Sequence, residues 1–185
     1  MKHCEELVSG LNIKNIIGQL SCGVTSICFD SRQVVHQSMY IAQRGTQVDG
    51  HSFIPMAIEK GASCIVLENM PKEIKKDITY IQVENSSFAL GHIASAFYNH
   101  PSKKLKLIGI TGTNGKTTTV TLLHTLLTNL GYKVGLLSTI ENKIINNIIP
   151  SSHTTPDAIR INELLSEMYK NGCEYCFMEV SSHAI

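Results

Sequence analysis

The sequence predicts an α/β protein in two consecutive parts, a small N-terminal α/β domain followed by the start of a parallel-sheet domain, and three observations carry that prediction. Between residues 105 and 131 an apolar run of strand length, Leu105, Leu107, Ile108 and Ile110, breaks into a glycine-rich turn and then into helical spacing. Upstream, short β-rich runs alternate with helical patterns, the order that builds strand–helix units. Between the two, Asn99-His100-Pro101-Ser102 stops a helix and two lysines follow, so the domains are expected over residues 1–102 and 103–185.

Taken in order, residues 1–20 read as a helical lead-in with Leu7, Leu11 and Ile16 or Ile17 available for burial. Val24 to Phe29 alternates as a half-buried strand that Asp30-Ser31-Arg32 ends, and Met39 to Ala42 is a second strand. Residues 44–51 form a polar loop with two glycines. Ser52 is expected to cap a helix running to Lys60, with Pro55 tolerated in its first turn and Gly61 closing it. Ser63 to Leu67 and Thr79 to Val83 are strands flanking a charged loop around Pro71, and a helix from Ser86 to Tyr98 buries Leu90, Ile93 and Phe97.

In the second part Val120, Leu122, Leu123, Leu126, Leu127 and Leu130 mark a helix that opens at Lys116 and ends at Gly131. Lys133 to Leu137 is the next strand. Residues 138–152 read as irregular, with a hairpin around Asn146-Asn147, and a helix from Ile159 to Lys170 is terminated by Asn171-Gly172. Tyr175 to Val180 is the last buried strand. Three parallel strands alone would leave their outer edges unpaired, so the chain is expected to be the N-terminal piece of a longer protein.

The formal net charge of +1, from 16 basic and 15 acidic side chains without long runs of one sign, argues against a nucleic-acid partner. No segment approaches the roughly 18 consecutive apolar residues of a membrane span. Glu5 and Glu6 stand where a secretion signal would need its apolar core, so the expected setting is the cytoplasm, with no membrane partner. The six cysteines, at 4, 22, 28, 64, 173 and 176, are scattered and are read as reduced thiols; Cys173-x-x-Cys176 is read as packing at a strand edge. Nothing in the sequence encodes an oligomer, and a monomer is expected.

The chemistry concentrates at Gly112-Thr113-Asn114-Gly115-Lys116-Thr117-Thr118. A glycine-rich turn lets several backbone N–H groups converge on one anion, and the helix start adds its partial positive charge. Lys116 is placed to reach the β- and γ-phosphates of a nucleotide and the Thr117 hydroxyl to hold Mg2+. The spacing departs from the usual phosphate loop, which has a glycine where this chain has Ile110, with glycines at 109 and 112 instead. Strand, loop and helix together make the second part P-loop NTPase-like. Glu179 ends an apolar strand on the side where that loop lies, so it is the expected second magnesium ligand beside Thr117. Thr154 and Thr155 are either caps of the next helix or contacts to an acidic substrate. Asp30-Ser31-Arg32 is either a solvated turn or a contact to phosphate and hydroxyl groups. His183 beside Ser181 and Ser182 lacks the G-x-S-x-G turn of a hydrolase.

Asp30-Ser31-Arg32, the loop 44–51, Gly109 to Thr118, His153-Thr154-Thr155-Pro156-Asp157 and Met178 to His183 together resemble the Mur ligases, in the same order and over nearly the whole chain. The nearest resemblance is to the branch that adds the third residue of the peptidoglycan stem peptide. It implies an ATP-driven amide ligase that joins diaminopimelate or lysine to a UDP-N-acetylmuramoyl dipeptide through an acyl phosphate. It also implies residue roles. Phe29, Ser31, Thr46, Gln47 and Val48 would touch the nucleotide sugar, and residues 112–118 would bind ATP. His153, Thr154, Thr155 and Ser181 would touch the muramoyl peptide, and Lys116 and Glu179 would serve catalysis. His153 stands where some relatives carry Asn. The family's carbamylated lysine and its amino-acid-binding domain have no counterpart in these residues, so this chain by itself is expected to be inactive. The alternatives are a folylpolyglutamate synthase or another Mur ligase, and a non-catalytic nucleotide-binding switch.

Overall fold

The computed structural model describes residues 1–45, 48–149 and 157–180, and the chain divides into two compact units, Met1–Phe97 and Tyr98–Ile185. Mixed α/β architecture holds in both. Among the described residues no helix is long and apolar enough to cross a membrane.

The first unit opens with β1 (Lys2–His3), α1 (Cys4–Val8), β2 (Ile13–Ile17), β3 (Gly23–Val24) and β4 (Ser26–Cys28). After β5 (Ser38–Ile41) come α2 (Ile54–Glu59), β6 (Ala62–Leu67), β7 (Thr79–Val83) and α3 (Ser86–Phe97). Five strands form one sheet in the order β2-β7-β6-β5-β4, parallel except for β2, while β1 and β3 pair separately. Its interior strands are apolar because both faces are covered: Met39, Tyr40, Ile41, Cys64, Ile65, Val66 and Leu67 are buried, and Ile54 and Ala57 of α2 pack on Tyr40, Ile65 and Leu67.

Three sequence expectations change here. Residues 13–17 form strand β2 and not the second half of a helical lead-in. Their β-branched isoleucines favour extended backbone, left-handed Gly10 and Gly18 bracket the segment, and the open edge of β7 supplies the ladder. Ile16 is accordingly exposed. The strand expected over Val24 to Phe29 is split between β3 and β4. Ser52 does not cap α2: its hydroxyl donates to the Asp49 carbonyl at 2.6 Å, inside a 3-10 turn over Gly50–Phe53 that the Asp49 carboxylate caps by accepting from the His51 N–H at 2.9 Å.

The second unit contains β8 (Lys106–Ile110), α4 (Lys116–Asn129), β9 (Val134–Leu137), β10 (Asn142–Ile144), β11 (Asn147–Ile149), α5 (Ala158–Lys170) and β12 (Tyr175–Glu179). The sheet runs β11-β10-β9-β12-β8, with β9, β12 and β8 parallel and the β10–β11 hairpin antiparallel on β9. The free edge expected on one side of a three-stranded sheet is therefore covered by the hairpin. Its register pairs Ile144 with Asn147, which puts the turn at Ile145-Asn146, one residue earlier than expected, with Ile145 at φ 58°.

Alternation along the strands serves two cores. Cys176 and Leu137 pack with Leu164, Leu165 and Met168 of α5, while Phe177, Val134 and Leu136 pack with Val120 of α4. Cys173 and Cys176 are both buried on the α5 side. Asp157 caps α5 by accepting from the Arg160 N–H at 2.9 Å, and Gly131 and Gly172, both at positive φ, follow the two helices.

Candidate functional site

The second unit brings three parallel strand ends together. At the end of β8 the chain turns through residues 111–115, all exposed, into α4. Gly115 is the N-cap in the left-handed region at φ 79°, and Gly112 sits at φ 146°; neither meets an atom closer than 3.9 Å where a Cβ would stand. The turn is thus conformationally glycine-dependent and sterically open. The first i→i−4 bond of α4 runs from the Thr119 N–H to the Gly115 carbonyl at 2.9 Å, so the amides of Lys116, Thr117 and Thr118 precede the helical ladder. Gly109 lies inside β8, where a Cβ would stand 3.2 Å from Val180 Cγ2, so its smallness serves close strand packing.

Glu179 ends β12 in register with Ile110 at the end of β8. Its Oε2 accepts from the Thr117 hydroxyl at 2.9 Å. The same oxygen accepts from the Thr139 hydroxyl at 3.2 Å and the Thr139 N–H at 3.3 Å, just beyond the end of β9. A carboxylate flanked by two hydroxyls is a hard-oxygen donor set of the kind that suits Mg2+. The Lys116 ammonium donates to the Gly112 carbonyl at 2.7 Å, folding the cation across the glycine turn. Thr139 went unnoticed in the sequence; the signal available was its place after a predicted parallel strand, at the end where such sheets carry ligands.

In the first unit two loops leave the carboxyl ends of the adjacent parallel strands β4 and β5. After β4 come half-buried Phe29 and buried Ser31, whose hydroxyl donates to Met56 Sδ at 3.6 Å. Asp30 is bidentate with the Arg32 guanidinium, Nη2 at 2.7 Å, and that hydrogen bond holds the carboxyl below its usual range. After β5, Val48 is exposed and its carbonyl accepts from the Gly45 N–H at 3.0 Å. Thr46, Gln47, His153, Thr154, Thr155 and Ser181 lie outside the described residues.

A glycine turn opening a helix between parallel strand ends, with a carboxylate and hydroxyls beside it, defines an α/β protein with a phosphate-loop-like turn. Two family models match it: "Mur ligase family, catalytic domain" over residues 23–98 and "Mur ligase middle domain" over residues 110–185. The chain belongs to the Mur ligase family. It is 56% identical over 181 residues to the UDP-N-acetylmuramoyl-L-alanyl-D-glutamate–2,6-diaminopimelate ligase of Cytophaga hutchinsonii, matching 97% of this chain and 37% of that one. A solved structure of a ligase of that name is similar with a TM-score of 0.77 at 23% identity, over 98% of this chain and 36% of the other. The MurF ligase of Thermotoga maritima in complex with ADP is similar with a TM-score of 0.54 at 23% identity, over 85% and 32%. The chain spans little more than a third of the length of the curated relatives it matches.

Proposed function

We propose that this chain supplies the nucleotide-sugar and ATP-phosphate sites of a cytoplasmic ligase that joins meso-diaminopimelate, or lysine, to UDP-N-acetylmuramoyl-L-alanyl-D-glutamate. The observation that carries the reading is the Thr117 hydroxyl 2.9 Å from Glu179 Oε2 at the mouth of an open glycine turn. In this reading the D-glutamate carboxylate takes the γ-phosphoryl group of ATP to give an acyl phosphate, and the incoming amine displaces phosphate to form the amide.

Each residue then has a task. The amides of residues 112–118 cradle the phosphates, and Lys116 swings from the Gly112 carbonyl to the β- and γ-phosphate oxygens. Thr117 and Glu179 would hold Mg2+, which would supply charge neutralisation at the phosphates; Thr139 donates to the same Glu179 oxygen from beyond the end of β9. The task is positioning and electrostatic, and no protein nucleophile is needed. Phe29, Ser31 and the 46–48 loop contact the UDP-sugar, and His153, Thr154, Thr155 and Ser181 the muramoyl peptide.

The test is calorimetric titration of the purified chain with ATP, with and without magnesium. Saturable binding is expected, weakened at least about tenfold by Lys116→Ala, while Glu179→Gln abolishes the gain from magnesium. Equal binding by wild type and Lys116→Ala would overturn the phosphate-loop role. Nucleotide binding without retention of the UDP-muramoyl dipeptide would favour a nucleotide switch instead.

A further inference from the structure

Three of the scattered cysteines meet in the first unit. Cys4 opens α1, Cys22 precedes β3, and Cys64 lies in β6. The pairing of Lys2 with Val24 and His3 with Gly23, together with the Cys4 N–H to Cys22 carbonyl bond at 3.0 Å, clamps the first two together. The Ser63 hydroxyl, 3.4 Å from the Gly23 carbonyl, brings in the third strand. Cys4 and Cys64 are fully buried with their sulfurs 3.4 Å apart, and all three sulfurs lie within 4.8 Å of one another. Cys22 is half-buried and lines an open cavity of about 640 Å³ together with Gln19, Ser21, Lys76, Asp77 and Thr79.

We infer that Cys4, Cys22 and Cys64 form a binding site for one thiophilic cation of the Zn2+ or Cu+ class. A metal–sulfur bond of about 2.3 Å sets three sulfurs roughly 3.8–4.0 Å apart; the Cys4 and Cys64 sulfurs stand 3.4 Å apart and no pair exceeds 4.8 Å, so closure needs only small side-chain shifts. An all-sulfur donor set selects soft metals over magnesium or calcium. Packing alone accounts for buried thiols such as Cys28 and Cys176, but not for a triad with one member open to a polar cavity. As each S–H gives way to an S–metal bond, its proton leaves to solvent. Three protein ligands leave a fourth position for a water, reached through the Cys22 cavity. The site ties the N-terminal segment to the central sheet and takes no part in phosphate chemistry.

The test is titration of the reduced chain under anaerobic conditions with Cd2+, and separately with Cu+, following the sulfur-to-metal charge-transfer band. The band is expected to saturate at one equivalent of either ion. Cys22→Ser should weaken binding at least about tenfold, whereas the Cys173→Ser, Cys176→Ser double variant should leave it unchanged. Should Cys22→Ser fail to fold, iodoacetamide mapping of the wild type serves instead: Cys22 is alkylated in the metal-free chain and protected at one equivalent. No saturable band, a band of undiminished affinity in Cys22→Ser, or Cys22 alkylated equally with and without metal would overturn the site.

Discussion

Two polar loops leave the carboxyl ends of parallel strands in this protein, and they are built in opposite ways. After β5 the loop is held by side chains. Asp49 accepts from the His51 N–H and contacts His51 Nδ1 at 2.7 Å, and the other ring nitrogen accepts from the N–H groups of Glu68 and Asn69 at 3.0 and 3.3 Å. The Tyr40 hydroxyl donates to the Gly50 carbonyl at 3.0 Å. After β8 the loop is held by backbone conformation, with two positive-φ glycines and residues 111–115 exposed. A polar, glycine-containing stretch is therefore rigid where its side chains point back at strand ends, as at residues 49–51, and open where backbone conformation alone shapes it, as at residues 111–115.

The largest expected difference lies under the loops. Ile65, fully buried in β6 of the first unit, packs with Tyr40 and Leu67; Ile65→Ala should cost about 2–5 kcal/mol, because the cavity adds to the lost transfer energy. In the second unit Leu126 has the right helical spacing for a core residue yet is 54% exposed on α4, as is Leu122 at 63%, and Leu130 just past the helix is 65% exposed. Leu126→Ala should stay within about 0.5 kcal/mol. Hydrogen exchange resolved by unit measures both. A comparable loss from Leu126→Ala would mean that the outer face of α4 is covered, and the contrast between the units would fail.

Next in size is the lock of the first loop. His51→Ala removes the acceptor of two backbone N–H groups at a half-buried position, and leaving them unmatched should cost about 1–3 kcal/mol. Amide exchange at residues 49–53 and 68–69 should accelerate while the glycine turn at 111–115 is unchanged. Unchanged exchange at residues 68–69 would show that the histidine is not what holds this loop.

How much of this was legible in the sequence follows from where each signal is stored. Strands β6 and β7, the start of α4 at Lys116 and its end at Gly131 are written locally, in β-branched runs and glycine punctuation. Strand β2 was not, because Ile13, Ile16 and Ile17 fit a helical spacing as well, and the partner that decides, β7, lies far along the chain. Thr139 carries no local mark, since a hydroxyl becomes a carboxylate partner only when the fold sets β9 beside β12. The same holds for the thiols of Cys4 and Cys64, 60 residues apart in sequence and 3.4 Å apart in space.

Acid should separate the units further. Glu68 Oε1 accepts from the Ser86 N–H and hydroxyl, both at 2.9 Å, at the start of α3; those bonds, backbone N–H first, hold its carboxyl below the ordinary value of 4.5. A carboxyl depressed in the folded state contributes stability above its unfolded value, and that contribution is lost as pH falls through the folded one. The first unit should therefore weaken progressively below about pH 4.5, and Glu68→Gln should flatten that limb at a cost below about 1 kcal/mol at neutral pH, as charge-assisted bonds become neutral ones. Urea midpoints measured against pH check this. An acid limb unchanged in Glu68→Gln would assign it to other carboxyls, Asp49 first, which the His51 backbone N–H and then its ring hold down in the same way.

The smallest expected effect on stability is the one that bears most on function. Asn114 sits in the exposed turn between Gly112 and Gly115, and no core residue rests on it. Asn114→Ala should leave thermal stability within about 0.5 kcal/mol, since surface changes away from caps and cores are nearly neutral. If the turn is a phosphate cradle, the same substitution should leave triphosphate affinity within a fewfold, because the cradle is made of backbone amides; Gly115→Ala, forced into the left-handed region, should lower it. Differential scanning fluorimetry with and without magnesium and ATP reads both quantities at once. A large stability loss in Asn114→Ala would show a side-chain-locked loop like the first, and the contrast between the two loops would disappear.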